Sequence, residues 1–248
     1  MVRKHYLITG GSAGIGLATA RTLAADGHRV YITGRDMGRL QRAADDISGS
    51  GGSDVETLLC DSEDLQQIDD LAGLLISRGV RLDGVALNAG IFLPESFTEM
   101  TVAASAQTMD VNFRGPLFTL HRLLPCLVNP ASIVFVSSLV VHKAFAGAAV
   151  YSASKAAFDA AARVLNLELA HRGIRVNAVR PGVTATEIQG KAGMTEGQIS
   201  DLFEGMASYP LGRVLTAEDM VPAIKYLLSD ASIGLRNAHI DIDGGFAL

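Results

Sequence analysis

Short β-rich runs alternate with longer helical patterns from the first residues almost to the last, and that alternation confines the chain to a parallel sheet clothed in helices. The runs fall at residues 6–9, 29–33, 55–59, 84–87, 132–137, 175–180 and 238–242. Most are nearly continuous apolar stretches, as strands covered on both faces require. Between them, residues 15–26, 37–47, 65–77, 102–127, 151–171 and 217–228 carry apolar positions every three or four residues, the spacing of helices with one buried face. No internal repeat or interdomain linker interrupts the order. The pattern predicts an α/β chain with a single domain over residues 1–248, built on one doubly wound sheet of about seven parallel strands with helices on both faces. Two stretches depart from it. Gly49-Ser50-Gly51-Gly52-Ser53 reads as a flexible surface turn. Residues 184–213, about thirty residues of mixed character just after a strand end, read as a substrate lid.

Charge and composition remove several classes of function. The 21 basic and 26 acidic side chains give a net charge of −5, which offers no cationic field for a nucleic-acid backbone. No run of 18 apolar residues exists, so no membrane span is expected. The first ten residues hold too short an apolar run for a secretory signal, and the chain reads as cytoplasmic. Cys60 and Cys126 lie far apart with no histidine at ligand spacing, so we expect two buried free thiols and no metal. Charged residues make up 19% of the chain, below the roughly 25% usual for soluble proteins. A large share of the chain therefore belongs to a core or a subunit interface.

The first run ends in Thr9-Gly10-Gly11-Ser12-Ala13-Gly14-Ile15-Gly16 and opens directly into a helix. Glycines at 10, 14 and 16 allow a tight turn, close approach to a pyrophosphate and close helix–strand packing. The helix N-terminus would direct free N–H groups and its positive dipole end at the anion. The spacing is not G-x-G-x-x-G, and a glycine-rich turn without a ligand stays open as a reading. The second run finishes at Thr33-Gly34-Arg35-Asp36. A cation there would pair with a 2′-phosphate, which favours NADP(H) over NAD(H). Asp36 beside it either caps the next helix or meets the ribose, so NAD(H) remains open. Asp61 and Ser62 follow the third run, where the carboxylate would reach an adenine amino group or cap a helix. Asn88-Ala89-Gly90 ends the fourth with small residues against which a cofactor could lie.

Tyr151 and Lys155 stand four residues apart, hence on one helix face. An ammonium beside a phenol favours the phenolate, so the pair predicts a tyrosine pKa drawn from about 10 toward neutrality and suited to proton transfer at a carbonyl or alcohol oxygen. Ser138 lies thirteen residues earlier. With these residues in place the sequence resembles the short-chain dehydrogenase/reductase family over nearly its whole length. Thr9-Gly10 with Gly14-Ile15-Gly16 is similar to that family's cofactor turn, Asn88-Ala89-Gly90 to its sheet-stabilising motif, and Asn112, Ser138, Tyr151 and Lys155 to its catalytic tetrad. Arg180-Pro181-Gly182, followed by Thr184 and Thr186, resembles its nicotinamide-contacting segment. Pro210-Leu211-Gly212-Arg213 and Asp241-Ile242-Asp243-Gly244-Gly245 resemble its C-terminal signatures. Leu87 departs from the family pattern, which usually has an asparagine there.

The resemblance implies a Rossmann-fold oxidoreductase that moves a hydride between NADP(H) and a ketone or secondary alcohol. Tyr151 would be the general acid and base, Ser138 would hydrogen-bond the substrate oxygen, and Lys155 would hold the nicotinamide ribose. Asn112 would anchor a relay water through its backbone; stabilising a helix kink is its other reading. Residues 139–150 are mostly apolar and, with Phe92, would line the substrate pocket through Val140, His142 and Phe145. That composition favours an apolar skeleton over a free sugar. Three alternatives stay open: a 3-oxoacyl-thioester reductase docking its carrier through Arg114, Arg122 and Arg172, an NAD(H)-linked alcohol dehydrogenase, and a regulator without turnover. Alanines at 153, 156, 157, 160, 161 and 162 suit close packing against another helix, and the resemblance implies a homodimer or homotetramer.

Overall fold

The seven apolar runs pair side by side in one parallel sheet of order β3-β2-β1-β4-β5-β6-β7. In the computed structural model, which describes residues 2–52 and 54–248, the strands are β1 His5–Thr9, β2 Arg29–Gly34, β3 Val55–Leu59, β4 Leu82–Leu87, β5 Leu127–Val136, β6 Ile174–Pro181 and β7 His239–Ile242. The turn expected over residues 49–53 ends on Ser53, which lies outside the described residues. Helices α1 Gly14–Ala25, α2 Met37–Gly49 and α9 Ala217–Leu228 cover one face, while α3 Leu65–Ser77, α5 Gly115–Leu123 and α6 Ala149–Glu168 cover the other. The alternation of side chains along a strand divides the core accordingly. In β1, Leu7 belongs to the layer of Ile68, Leu120 and Phe158, whereas Tyr6 and Ile8 belong to that of Leu23, Ile47 and Ile224.

The order of the sheet decides where a ligand can sit. The chain builds β1, β2 and β3 outward in one direction, then returns to place β4 on the other side of β1. Helices after β1 and β4 therefore diverge, and a crevice opens at the carboxyl ends of those two strands. Asn88 fastens its floor: its backbone N–H and that of Ala89 both donate to Thr9 Oγ1, and its Nδ2 donates to the carbonyls of Thr9 and Gly10.

The expected helix over 102–127 is replaced by four pieces. Helix α4 Val102–Met109 passes into a π-turn at Asp110–Arg114, then α5, then a 3₁₀ turn at Leu124–Cys126, and Leu127 already begins β5. Local chemistry explains the break. Position 116 is proline, so the carbonyl of Asn112 loses the N–H donor that an α-helix would supply four residues on. Gly115 N–H instead reaches back five residues to the carbonyl of Asp110. Gly115 is itself required by space, because a Cβ there would lie 2.1 Å from the carbonyl oxygen of Ser62. The expected lid segment contains α7 Ile188–Lys191 and α8 Glu196–Gly205, and Thr184 bridges to Leu215 at its root. Cys60 and Cys126 are buried free thiols. No helix among the described residues is long and apolar enough to cross a membrane, and no group of side chains among them could hold a metal ion.

Replacing Gly115 by alanine should force the α4–α5 break apart and destabilise the chain by about 1–3 kcal/mol, the usual cost of overpacking. A urea midpoint unchanged from that of the parent chain would show that Ser62 can yield.

Candidate active site

The phosphate turn is shaped by close approach. Gly16 packs so tightly on the first strand end that a Cβ would stand 2.4 Å from the carbonyl oxygen of Gly10 and 2.5 Å from Asn88 Nδ2. Gly14 adopts a positive φ of 52°, and the space above it is already taken by Thr186, whose Cγ2 would lie 3.2 Å from an added Cβ. The root of the expected lid thus rests on the turn. Helix α1 starts at Ala13 with no side-chain cap, whereas Asp36, Asp64 and Thr101 cap α2, α3 and α4. Its first amides are left for a ligand, which fits a pyrophosphate. Ser12 and Ile15 belong to the same turn, and Ser12 Oγ would lie 3.5 Å from a Cβ on Gly34 at the tip of β2.

Arg35 is exposed at that tip. Asp36 caps α2, its Oδ1 accepting from the Arg39 N–H at 2.9 Å. Asp61 serves its own turn by accepting from the Glu63 N–H, while Asp64 caps α3. Gly182 packs against Asp243, and Thr184 Oγ1 donates to the Gly182 carbonyl while its own carbonyl accepts from Gln189 Nε2. Pro181, Gly182, Thr184 and Thr186 therefore form one ordered corner beyond β6.

Asn112, Ser138, Tyr151 and Lys155 come together at the ends of β4 and β5. Asn112 is fully buried, its Oδ1 accepting from the Ile91 N–H and its Nδ2 donating to the Ile91 carbonyl, both at 2.9 Å, and to Ser154 Oγ at 3.2 Å. Ser154 Oγ donates in turn to the Tyr151 carbonyl at 2.7 Å. One asparagine thus ties the loop after β4 to α6. Its side chain serves structure, and its freed backbone carbonyl at the π-turn suits the water-anchoring reading. Pro116 is the sequence signal that connects the two readings.

Lys155 is only 3% exposed. Its Nζ donates to the Val136 carbonyl at 3.0 Å and lies 5.0 Å from the ring centre of Phe135 and 5.7 Å from that of Tyr151. Gly90 leaves room for it, since a Cβ there would stand 3.2 Å from Nζ and from Asn112 Oδ1. Burial lowers the lysine to about 8, with Asp159 opposing the fall. The expected lowering of the tyrosine is not found. Burial pushes the Tyr151 phenol above its ordinary value, and its hydrogen bond with Ser138 only opposes that rise. The penalty that burial sets on the charged phenol outweighs what the Ser138 hydrogen bond returns.

Beside these groups lies a cleft of about 480 Å³. Val140, His142 and Phe145 line it, together with Phe97, Ala146 and Ser152. Phe92 instead packs on the Tyr151 ring, with centroids 4.9 Å apart. Phe97 was missed by the sequence reading; the signal available was an apolar side chain in the loop that follows Asn88-Ala89-Gly90.

A family model described as "Enoyl-(Acyl carrier protein) reductase" matches residues 10–247. The chain is a member of the short-chain dehydrogenase/reductase family. It is an oxidoreductase of the NAD(P)-dependent kind that this family comprises. An uncharacterised oxidoreductase of Mycobacterium tuberculosis is 34% identical, with 98% of this chain and 91% of that protein covered. L-xylulose reductase of Bos taurus is 31% identical over 98% of this chain and 96% of its own. The solved structure of a short-chain dehydrogenase/reductase from Serratia marcescens superposes with a TM-score of 0.88 at 27% identity, covering 99% of this chain and 98% of that one.

Within this family member, Asn112→Ala would strand the Ile91 N–H and carbonyl in the interior. A stability loss of about 2–3 kcal/mol is expected, as for unpaired buried polar groups. Thermal or urea unfolding checks it, and an unperturbed transition would mean that the loop after β4 finds other partners.

Proposed function

We propose that this short-chain dehydrogenase/reductase transfers a hydride between NADP(H) and a ketone or secondary alcohol of mainly apolar skeleton. The observation that carries the reading is a buried lysine packed under Tyr151, with Ser138 beside it, at the edge of a cleft lined largely by apolar side chains. When bound, the nicotinamide supplies the hydride chemistry. The chain's own groups do the rest. Gly10, Ser12, Ala13, Gly14, Ile15 and Gly16 hold the pyrophosphate, Arg35 the 2′-phosphate, Asp61 and Ser62 the adenine, and Asn88, Ala89 and Gly90 the face of the adenosine half. Pro181, Gly182, Thr184 and Thr186 hold the nicotinamide side, and Lys155 its ribose.

Tyr151 gives a proton to the substrate oxygen in reduction and takes it back in oxidation. Burial holds that phenol above its ordinary value and so keeps it protonated in the chain without ligand. Ser138 donates a hydrogen bond to the same oxygen and stabilises the charge that develops there. Asn112 anchors a relay water through its freed carbonyl. Phe92, Val140, His142 and Phe145 contact the substrate skeleton, with residues 184–213 closing over it as a lid. The chain functions as a single domain over residues 1–248 in the cytoplasm.

The description of the matching family model favours a second reading, reduction of an acyl thioester on a carrier protein. It ranks behind the first because the arginines that would meet an acidic carrier have partners of their own. Arg114 pairs with Asp110 at 3.1 Å, Arg122 with Asp69, and Arg172 donates to the Leu124 carbonyl.

Cofactor titration tests the first reading. Arg35→Ala should weaken NADPH binding about 10–100-fold, the value of a charge-assisted contact, and leave NADH within about twofold. Tighter NADH than NADPH binding in the parent chain would overturn the NADP assignment. Tyr151→Phe should cost about 100-fold or more in turnover while cofactor binding persists, and retained turnover would remove the acid–base role.

Assembly through α6 has its own support. Val164 and Leu167 leave 52% and 80% of their surface exposed on that helix. Light scattering at micromolar concentration should report a homodimer or homotetramer, and a monomer would refute it.

A further inference from the structure

Lys155 is not the only ionisable group on the buried face of the catalytic helix. One turn further along α6, Asp159 is 8% exposed. Its Oδ2 accepts from Arg180 Nη2 at 2.9 Å and from Arg180 Nε at 3.2 Å. Its Oδ1 is buried without a hydrogen-bond partner among the described residues. A buried carboxylate is costly unless its charge is matched, and here one guanidinium meets one oxygen of the two. The other charged or titratable groups around it are Lys155 and Arg163 of α6, His239 of β7, whose Nε2 stands 3.7 Å from Oδ2, and Asp241 of β7, which lies 3.8 Å from Arg180 Nη1. Lys155 faces the Tyr151 and Phe135 rings and the Val136 carbonyl, none of which carries a negative charge while the phenol is protonated. Arg180, for its part, leads directly into Pro181-Gly182.

We propose that Asp159 acts through Lys155 as a positioning residue, its buried carboxylate one helical turn along the same face favouring the ammonium form, and that Arg180 tunes this influence by drawing on the same carboxylate. The proposal rests on the catalytic reading of Lys155. Two residues at i and i+4 share a helix face, and a carboxylate at that spacing favours the charged form of the lysine. Burial lowers Lys155 to about 8, and Asp159 is the one charged group that opposes the fall. Without the carboxylate, Lys155 must lose its proton at lower pH. Without Arg180, the carboxylate acts on Lys155 undivided, and the proton must leave at higher pH.

The test reads Lys155 directly in the full chain, with no cofactor or substrate added. The chain has five lysines, so ¹³Cε-labelled lysine gives few signals, and Lys155→Arg identifies the one of interest. In Asp159→Asn its titration should move down by about one pH unit, and in Arg180→Met it should move up by about half a unit. The basic limb of the turnover profile should follow in the same directions. A signal that titrates as in the parent chain in both variants, or moves the same way in both, overturns the proposal. Each single variant strands a buried charge, so Asp159→Asn/Arg180→Met, which removes both, serves where either fails to fold. Lys155 should there titrate below the parent value and above that of Asp159→Asn where that variant folds; an unshifted titration in the double variant also overturns the proposal. Because the lysine signal needs no turnover, its failure to move is distinct from an inactive enzyme, which would instead overturn the catalytic reading of Lys155.

Discussion

A buried ammonium organises the carboxyl edge of this sheet. Lys155 has almost no access to water, so its charge has to be met by what the fold supplies: the last carbonyl of β5, two aromatic faces and a carboxylate one turn behind it. Each of these needs α6 at one height on the sheet. Phe158 stacks on Phe135 with centroids 4.1 Å apart, which fixes α6 against β5. Asn112 and Ser154 fasten the same buried face of the helix to the loop after β4. Tyr151, one turn before Lys155, is then placed beside Ser138 as a consequence. Its height on the sheet follows from satisfying its neighbour.

The cofactor crevice depends on a different economy, that of amides left free. Several helix starts in the chain are closed by a side chain, as at Asp36, Asp64, Thr101 and Thr195, and only a helix start without such a cap has its first N–H groups available to an anion. At α1 the N-cap is Ala13, and the glycines before and after it bring the backbone close enough for those amides to be used. Asn88 supplies what the missing cap cannot, by holding the strand end from which the turn springs. Leu87, which replaces the family's usual asparagine, is buried in the core and leaves this clamp intact.

Sequence made the sheet and most of the site legible because both are written in local patterns. A strand buried on two faces must be an apolar run, and a tyrosine and a lysine four apart must share a helix face, whatever surrounds them. What escaped depended on neighbours distant in the chain. The apolar periodicity of 102–127 continues through a π-turn that Pro116 and the Ser62 carbonyl impose together, so period alone reads one helix where the chain forms several pieces. The phenol shift was assigned the wrong sign because spacing reveals the partner of Tyr151 but not its depth from solvent. Phe92 packs its ring on that of Tyr151, a contact that no one-dimensional pattern specifies.

The substrate side of the cleft stands on a weaker foundation than the cofactor side. Leu139, Met206 and Phe246 form a small cluster of their own, joined by Val183, Leu202, Tyr209 and Val214, and separate from the two large layers on the sheet. Lys143 reinforces it from the loop after β5, with its ammonium 4.0 Å from the ring centre of Phe246. Tyr209 meets the same ring edge-on at 4.5 Å. Three segments remote in sequence therefore hold one another more than they are held by the sheet. Regions with few buried apolar contacts open at lower free energy than the core. Residues 139–143 thus join a different core from Lys155, whose own ammonium is held by the last carbonyl of β5 and the Phe135 ring.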